Sequence, residues 1–468
     1  MDYIQFGLFT ASIITTFNLH KFQNLLKSTN KRDKNEELVS KRCSERMQSD
    51  GAGMSYLPDF LNHLSNQYDK DKNSKGIIAM CVAENNLEAQ VMVKKKTEEC
   101  CKDVSNDSIL VNYTATTGSL ELRTVLASFF SSYMYQDVTV DPDCIVVASG
   151  AAAILTELSL GLADHGDSVL IPTPYYAGFE TDFYTVAGVV PIHVFPRDMS
   201  NFNLTPIELD EAYNRSMKKG HTPKVLLISN PNNPCGFIYT PDQLRNLAAW
   251  TRSKDMHLVV DEVFALSVFD RDGDASSSFH SVASANVLGT DMRDDVHCIW
   301  ALSKDFCASG LRFGTLYTKN KKLMAACANM NLMSMVSNLQ QIVTTRMLKD
   351  KAWVNSFLVA NQNALREAYN MISTSLETVH IPVTRARAGL FLWADFRHYM
   401  PEQTFECERE LYKQMLAAGV ILTPGEGCRC SVPGFFRIVY AWVSKHSQEE
   451  AMRRIIRALV HVKEMNKK

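Results

Sequence analysis

The sequence lacks the features that mark several common classes of protein. Its 468 residues carry a net charge of only −2, so no excess of one sign points to nucleic acid or an anionic membrane as a partner. No Gly-rich dinucleotide-binding or phosphate-loop pattern follows the first apolar run. The 12 cysteines are scattered without the paired spacing of a zinc site, which favours reduced thiols in a cytoplasmic protein and no metal.

The amino terminus contains an apolar stretch but lacks the marks of a signal or anchor. Tyr3 to Leu19 is largely uncharged, yet Asp2 precedes it in place of a basic cluster, and the stretch is short for a spanning helix. Residues 27–55 are polar and charged, as in a flexible lead-in. We therefore predict a variable, partly flexible extension over residues 1–56, with a targeting segment as the alternative.

From about Asp143 to Thr318, short apolar runs alternate with segments of helical pattern. Several runs are apolar on both faces, as expected of strands that are buried between helices in a mainly parallel sheet. The alternation predicts an α/β domain. The runs are Cys144–Ala148, Ser168–Ile171, Val189–Phe195, Lys224–Ser229, His257–Val260, His297–Ala301 and Gly314–Tyr317. Further along the chain, Gly389–Asp395 and Phe435–Tyr440 also have the pattern of strands.

Three motifs place polar residues directly after such runs. An Asn-Pro-Asn-Asn-Pro-Cys-Gly turn contains Asn233, Asp261 follows the run that ends at Val260, and Lys304 follows a further run with Arg312 eight residues later. Ligands of open α/β sheets bind at the carboxyl ends of the strands. A turn of this kind, a strand-end aspartate and a Ser-Lys with arginine at that spacing, in this order, is the layout of a pyridoxal 5'-phosphate (PLP) site.

With these motifs the chain resembles the class I and II aminotransferase superfamily, and within it the 1-aminocyclopropane-1-carboxylate synthase-like branch. The resemblance covers roughly residues 59–460, and Gly76–Leu87 and Pro172–Tyr176 also carry it. It implies PLP as cofactor, an amino-acid substrate, a homodimer, and the PLP-dependent transferase fold. That fold has a large domain, with a mainly parallel sheet between helices, and a smaller α+β domain.

The resemblance also predicts how the chain is divided. The small domain takes in the segment before the large domain, here residues 57–102, and the carboxyl-terminal residues 351–468. The large PLP-binding domain spans residues 103–318. Residues 319–350 have a helical pattern rich in Met, Leu and Ala and are predicted to form a connecting helix.

The superfamily's site residues match polar positions of this chain. Lys304 would form the internal aldimine with PLP and move a proton to or from the substrate Cα, its pKa lowered by neighbouring positive charge. Asp261 would face the pyridine nitrogen, and Asn233 would donate to the ring oxygen. Tyr176 would stack on the ring. An exposed lysine, a turn asparagine and a core tyrosine are the structural alternatives.

Two further groups of residues would hold the phosphate and the substrate. The backbone N–H groups of Ala151 and Ala152, at the start of a predicted helix, would face the phosphate, with a hydroxyl from Ser303 and a charge from Arg312. Substrate binding is predicted for the two residues that match the family's substrate site, Arg437, a planar fork for the α-carboxylate, and Glu84.

Three positions depart from the family pattern. Phe264 stands where a tyrosine is usual, Thr116 replaces a tyrosine that reaches the neighbouring subunit, and Ala301 replaces a phosphate-binding serine. These departures argue against cyclopropane formation from S-adenosylmethionine. Two functions therefore stay open: an aminotransferase or lyase acting on an α-amino acid, and a PLP-binding scaffold with little catalysis.

Overall fold

A computed structural model describes residues 40, 44, 56–198, 202–270, 278–290 and 292–465. The extension predicted over residues 1–56 lies outside the described residues, apart from residues 40 and 44 and Tyr56. In chain order the described strands are β1 (Ile78–Ala79), β2 (Ile145–Ala148), β3 (Ser168–Pro172), β4 (Val190–Val194), β5 (Pro223–Ser229), β6 (His257–Asp261), β7 (Val296–Ala301), β8 (Gly314–Thr318), β9 (Val383–Thr384), β10 (Phe391–Asp395), β11 (Val420–Ile421), β12 (Thr423–Pro424) and β13 (Phe435–Val439).

The described α-helices lie before, between and after these strands. They are α1 (Leu57–His63), α2 (Gln90–Cys100), α3 (Leu120–Tyr133), α4 (Ala151–Leu162), α5 (Gly178–Tyr184), α6 (Pro206–Lys218), α7 (Pro241–Ser253), α8 (Ala285–Leu288), α9 (Leu302–Asp305), α10 (Lys321–Met330), α11 (Asn338–Lys349), α12 (Lys351–Glu377), α13 (Phe405–Ala417) and α14 (Lys445–Met465). Several begin at a side-chain cap; α6 and α7 have complete capping boxes, from Thr205 with Glu208 and from Thr240 with Gln243.

The larger sheet has the strand order β2-β8-β7-β6-β5-β3-β4. Strand β8 is antiparallel to both of its neighbours, and the other pairs are parallel. The seven apolar runs are confirmed as strands, with each end within one residue of the prediction. Because only β8 is reversed, the carboxyl ends of the other six strands meet at one edge of the sheet.

Both faces of this sheet are buried, which explains why its strands are apolar without alternation. In β5, Val225 and Leu227 pack into one hydrophobic cluster, while Leu226 and Ile228 pack into another. Successive strand side chains point to opposite faces, so a strand covered by helices on both sides needs apolar residues throughout. The prediction of an α/β domain with a mainly parallel sheet is confirmed.

A smaller antiparallel sheet has the order β12-β13-β10-β9, with Trp393 of β10 opposite Arg437 of β13. The carboxyl-terminal strands predicted from sequence are thus present as β10 and β13. Strand β1 pairs in parallel with β11, and the Val439 N–H donates to the Met80 carbonyl at 2.8 Å. Residues near the beginning and end of the described chain therefore share one α+β unit, while the domain boundaries themselves stay predictions.

The prediction of a single helix over residues 319–350 is wrong. The segment forms two helices, α10 and α11, and the 27-residue helix α12 comes only afterwards. Between α10 and α11, the Asn331 side-chain amide donates to the carbonyls of Thr116 and Val147, both at 2.7 Å. The side chain of Ser337 then caps α11. These long-range bonds interrupt a segment whose local pattern is helical throughout.

Candidate active site

A cavity of about 260 Å³ opens at the carboxyl edge of the larger sheet. Nine of the ten predicted site residues line it, namely Glu84, Ala151, Ala152, Tyr176, Asn233, Asp261, Ser303, Lys304 and Arg312. The tenth, Arg437, is buried beside it and reaches it through Asn233. Residues far apart in the sequence therefore meet in one place because the strands that precede most of them end at one edge.

Lys304 lies on α9, a single helical turn that follows β7. Its Nζ donates to the Ala83 carbonyl at 2.6 Å. The next residue, Asp305, fixes the turn, because its buried carboxylate accepts hydrogen bonds from the Ser267 hydroxyl at 2.7 Å and the Trp300 indole N–H at 2.9 Å. The backbone N–H of Leu266 adds a third bond at 3.0 Å. The lysine is thus presented from a rigidly held backbone.

The charge state of Lys304 follows from its surroundings. Burial lowers the pKa of its ammonium to about 8; the carboxylates of Glu84 and Asp261 oppose this shift, and the guanidinium groups of Arg437 and Arg312 add to it. The prediction that positive charge lowers this pKa therefore captures only the smaller part of the effect. Near neutral pH, an appreciable fraction of Lys304 is an uncharged amine that can act as a nucleophile or base.

Asp261 is the last residue of β6 and is buried. Burial raises its pKa to about 7, while the Val263 N–H, which donates at 3.2 Å, and the charge of Lys304 act in the opposite direction. A cationic partner in the cavity would favour the ionised carboxylate. The residue thus suits a protonated ring nitrogen, whose charge would ionise a carboxyl that otherwise titrates at a pKa of about 7.

Asn233 and Arg437 connect the two sheets at the cavity. Arg437 Nη1 donates to Asn233 Oδ1 at 3.1 Å, and Nη2 donates to the Cys81 carbonyl at 2.7 Å and to the Thr423 hydroxyl at 3.2 Å. The Nε of Arg437 is buried without a hydrogen-bond partner in the part of the chain that the structure describes. A buried donor left unpaired is costly and suits an incoming acceptor.

A cradle for an anion lies at the start of α4. Gly150 precedes this helix with φ +96°, and the first helical N–H groups, those of Ala151 and Ala152, open on the cavity. Arg312 reaches the same place and donates to the Ser309 carbonyl at 2.9 Å. A Cβ on Gly150 would approach Arg312 Nη2 to 2.4 Å, so glycine is required for the guanidinium to lie against the helix start.

The three departures from the family pattern have clear structural positions. Phe264 and Ala301 both line the cavity, so neither of these two positions offers a hydroxyl group to a ligand. Phe264 packs edge-to-face on Phe391 with 5.3 Å between ring centroids. Thr116 does not line the cavity, and its carbonyl accepts a hydrogen bond from the Asn331 side-chain amide.

The cavity residues that were not predicted from the sequence include Asp182 and Ser309. Asp182 lies on α5, six residues after Tyr176, and burial together with the charge of Asp261 raises its pKa to about 7. Ser309, in the loop between Lys304 and Arg312, donates to Glu84 Oε1 at 2.7 Å. The position of Ser309 between two motif residues was a usable signal; Asp182 had only its helical spacing from the tyrosine.

Other kinds of site find no support within the described ranges. There, no group of three or more His, Cys, Asp and Glu side chains is arranged to hold a metal ion. No helix in the same residues combines the length and the apolarity that a membrane crossing requires.

Comparison with known proteins identifies the family. The family model for aminotransferase class I and II matches residues 59–455. The chain belongs to this family. The protein named 1-aminocyclopropane-1-carboxylate synthase 8 of Arabidopsis thaliana is 32% identical over 429 residues, which cover 90% of each chain. A mouse protein named probable inactive 1-aminocyclopropane-1-carboxylate synthase-like protein 2 is 33% identical over 431 residues, 89% of this chain and 72% of the mouse protein.

Solved structures confirm the fold of this family member. Aspartate aminotransferase from Thermus thermophilus, solved with maleate, aligns with a TM-score of 0.73 at 20% identity, over 90% of this chain and 99% of the other. An aromatic aminotransferase from Pyrococcus horikoshii aligns with a TM-score of 0.70 at 22% identity, over 86% and 99% of the two chains. At such identities the likeness concerns the fold alone, the PLP-dependent transferase fold expected from the sequence.

PLP is the cofactor of this family, and the cavity residues fit it. The fit rests on three features of the structure: a buried lysine with a lowered pKa, a buried carboxylate that a ring cation would ionise, and a helix start beside an arginine. These groups match the aldehyde, the ring nitrogen and the phosphate of PLP, respectively.

The cradle can be tested by adding a single methyl group. We expect Gly150→Ala to displace the Arg312 guanidinium and weaken PLP binding by about 1.5–3 kcal/mol, or roughly 10- to 100-fold in Kd. The matched control is Gly166→Ala, because Gly166 also has a positive φ, of +89°, but a Cβ there meets no atom within 4 Å. Spectral titration with PLP measures Kd, and urea unfolding measures the backbone strain common to both variants. Equal PLP affinity in both variants would contradict the assignment.

The charge state of Lys304 can be tested by the pH dependence of PLP attachment. Only the neutral amine reacts, so the rate should rise as pH increases through about 8 and then level off. Stopped-flow absorbance after mixing apo-protein with PLP measures the rate. Glu84→Gln removes a carboxylate that raises the lysine pKa, so its midpoint should lie at lower pH. A rate that climbs steadily to the usual lysine pKa of about 10.4 would be inconsistent with a buried amine.

Proposed function

We propose that the protein is a PLP-dependent enzyme acting on an α-amino acid, as an aminotransferase or a lyase of the 1-aminocyclopropane-1-carboxylate synthase-like kind. The observation that carries the proposal is the Lys304 amine, which has a pKa of about 8 and shares one cavity with Asp261 and Arg312. Bound PLP supplies an electron sink for negative charge at the substrate Cα. The chain itself must then bind the substrate, hold the ring and move the proton.

Each of these tasks has a candidate residue. Lys304 is the base and acid that moves the Cα proton, since its amine is positioned by the Ala83 carbonyl and titrates near neutrality. Asp261 keeps the ring nitrogen protonated, and Asn233, held by Arg437, is directed at the ring oxygen. Arg437 binds the substrate carboxylate, for which its unpaired Nε is a donor.

The choice between transamination and elimination depends on where the moved proton is delivered. Phe264 and Ala301 leave two fewer hydroxyls in the wall than the family pattern provides, and a lost bond to a charged oxygen costs about 1.5–3 kcal/mol. We therefore do not extend the proposal to cyclopropane formation, although the Arabidopsis relative is named as the synthase of that product.

A PLP-binding scaffold with little catalysis is the second candidate. The Phe264 ring in the cavity wall favours it, and the mouse relative is named as probably inactive. Against it stands the buried Lys304, because a scaffold has no need for an amine whose pKa is lowered to about 8.

Covalent cofactor attachment separates these functions from an unrelated use of the fold. We expect purified protein with PLP to show a visible cofactor band that borohydride fixes covalently, and Lys304→Ala to lose it. The exposed Lys322 is the control, and Lys322→Ala should keep the band. Adding single amino acids and following the band, together with keto-acid release, then tests turnover. Absence of any band with excess PLP would refute the enzyme, and a band that no amino acid changes would leave the scaffold.

We also propose a homodimer, because one face of the chain is apolar and uncovered. Val111, Tyr113 and Met333 are 88%, 97% and 86% exposed. The two segments that carry them are joined through Asn338, which accepts a bond from the Thr114 hydroxyl at 2.9 Å and donates to the Ile109 carbonyl at 2.6 Å. Large apolar side chains exposed on adjoining segments favour an interaction site, and a second copy of the chain is the partner expected in this family.

A charge placed in that face should separate the two copies. We expect Met333→Asp to convert a dimer into a monomer in sedimentation velocity, because an unpaired carboxylate cannot be buried cheaply. Val460→Asp is the control, since Val460 is also more than half exposed but lies on α14. A wild-type protein that sediments as a monomer, or a Met333→Asp variant that stays dimeric, would exclude this face as the interface.

The described cysteines suggest where the protein works. Those in the ranges that the structure describes are free thiols, and most are buried. Disulfide-free chains are typical of reducing compartments, so we propose a cytoplasmic location.

A further inference from the structure

An ion pair outside the cavity connects the segment that contains Tyr176, which we call the Tyr176 wall, to the smaller sheet. Arg429 Nε and Nη2 donate to Glu180 Oε1 and Oε2 at 2.6 and 2.7 Å, a two-pronged contact. The hydroxyl of Tyr175 donates to the same carboxylate at 2.6 Å. The backbone repeats the connection, because the Tyr175 N–H donates to the Cys428 carbonyl at 3.0 Å. Three hydrogen bonds thus join the two segments, and the fourth, from Tyr175 to Glu180, holds the carboxylate within its own segment.

The position of this pair in the chain matters more than its strength. Glu180 lies on α5 between Phe179 and Asp182, which both line the cavity, and Tyr175 directly precedes the cavity residue Tyr176. On the other side, Arg429 lies in the segment that leads from β12 into β13, the strand that carries Arg437.

The local structure indicates that the pair is held firmly. The side chains of Arg429 and Glu180 are 24% and 22% exposed, so the pair is largely shielded from solvent. Although burial opposes it, hydrogen bonds from Arg429, His193 and Tyr175 lower the pKa of Glu180 to about 2. Arg429 also has a left-handed backbone with φ 58°, which is unfavourable for a residue other than glycine. Such a conformation persists where surrounding contacts determine it.

We propose that Arg429 and Glu180 are positioning residues that fix the Tyr176 wall relative to Arg437, and so set the distance between the cofactor ring and the substrate carboxylate. The proposal deepens the proposed function and rests on it for its catalytic consequence. The order that the pair imposes on the two segments does not depend on the cofactor. Planar two-pronged recognition requires arginine, so lysine at position 429 should act only in part.

The matched control is a second Arg–Glu pair at the same turn. Arg409 on α13 donates to both carboxylate oxygens of Glu426 at 2.6 and 2.8 Å. Glu426 is three residues before Arg429, yet neither partner of this control pair lines the cavity. Arg409→Gln therefore removes a comparable ion pair without touching the tyrosine segment.

The experiment compares Glu180→Gln, Arg429→Gln, the double variant, Arg429→Lys and Arg409→Gln. Hydrogen exchange of apo-protein, read by mass spectrometry, should accelerate over residues 173–184 and 425–437 in both single variants. It should accelerate no further in the double variant, because the two residues act as a unit. With PLP added, the visible circular dichroism of the cofactor band should weaken and Kd should rise about tenfold, the equivalent of one lost hydrogen bond. Arg429→Lys should fall in between. Arg409→Gln should match wild type in the exchange of residues 173–184 and in the dichroism, because its partner Glu426 belongs only to the other segment.

Two results would overturn the proposal. One is unchanged exchange in both segments when the pair is broken. The other is a loss of PLP dichroism that is equally large in Arg409→Gln and Arg429→Gln and is explained by an equal drop in their urea unfolding midpoints. Failure of the proposed function looks different, since wild-type protein would then bind no PLP. In that case the exchange experiment on apo-protein still decides whether the pair fixes the two segments.

Discussion

The site depends on one constraint, the burial of an amine and a carboxylate in the same cavity. Burial brings Lys304 down to a pKa of about 8 and Asp261 up to about 7, so the charged form of each is destabilised and both titrate near neutral pH. Their mutual attraction opposes both shifts but does not cancel them. A ligand with a basic ring nitrogen and an anionic group relieves this cost, because the ring ionises Asp261 and the anion meets Arg312 and the start of α4. The electrostatics of the cavity therefore match the charge pattern of PLP.

This arrangement requires both sheets. The larger sheet brings Asn233, Asp261 and Lys304 to one edge, but the amine of Lys304 is held by the carbonyl of Ala83, which follows β1. Arg437 comes from the smaller sheet and orients Asn233 of the larger one. Under the proposed function, a displacement of the sheets would therefore alter ring recognition and substrate recognition together, and the contacts between the sheets would matter as much as the cavity residues.

Local sequence was sufficient for the strands and for the residues that end them, because buried strands are apolar on both faces and ligands gather at their carboxyl ends. It was insufficient wherever long-range contacts decide. The break between α10 and α11 is stabilised by hydrogen bonds from the Asn331 side chain to the carbonyls of distant residues, and the local sequence pattern does not predict it. Asp182 and the Arg429–Glu180 pair were not predicted for the same reason, because the residues that they interact with lie on other elements. The leading cause of the Lys304 shift was missed because burial is a property of the fold, not of the neighbouring sequence.

The energetics also bear on the choice between enzyme and scaffold. A buried donor without a partner, such as Arg437 Nε, costs about 1–3 kcal/mol, and a buried lysine whose charged form is destabilised by burial adds to that cost. Replacing buried charged groups by apolar residues of similar size is often neutral or stabilising. A chain that needed only its fold and a surface for a partner would be better served by such residues at both positions. The absence of hydroxyl groups at Phe264 and Ala301 removes possible hydrogen bonds to a ligand but leaves no buried polar group unpaired. The buried groups of Arg437 and Lys304, in contrast, carry a cost in stability that a bound ligand would relieve.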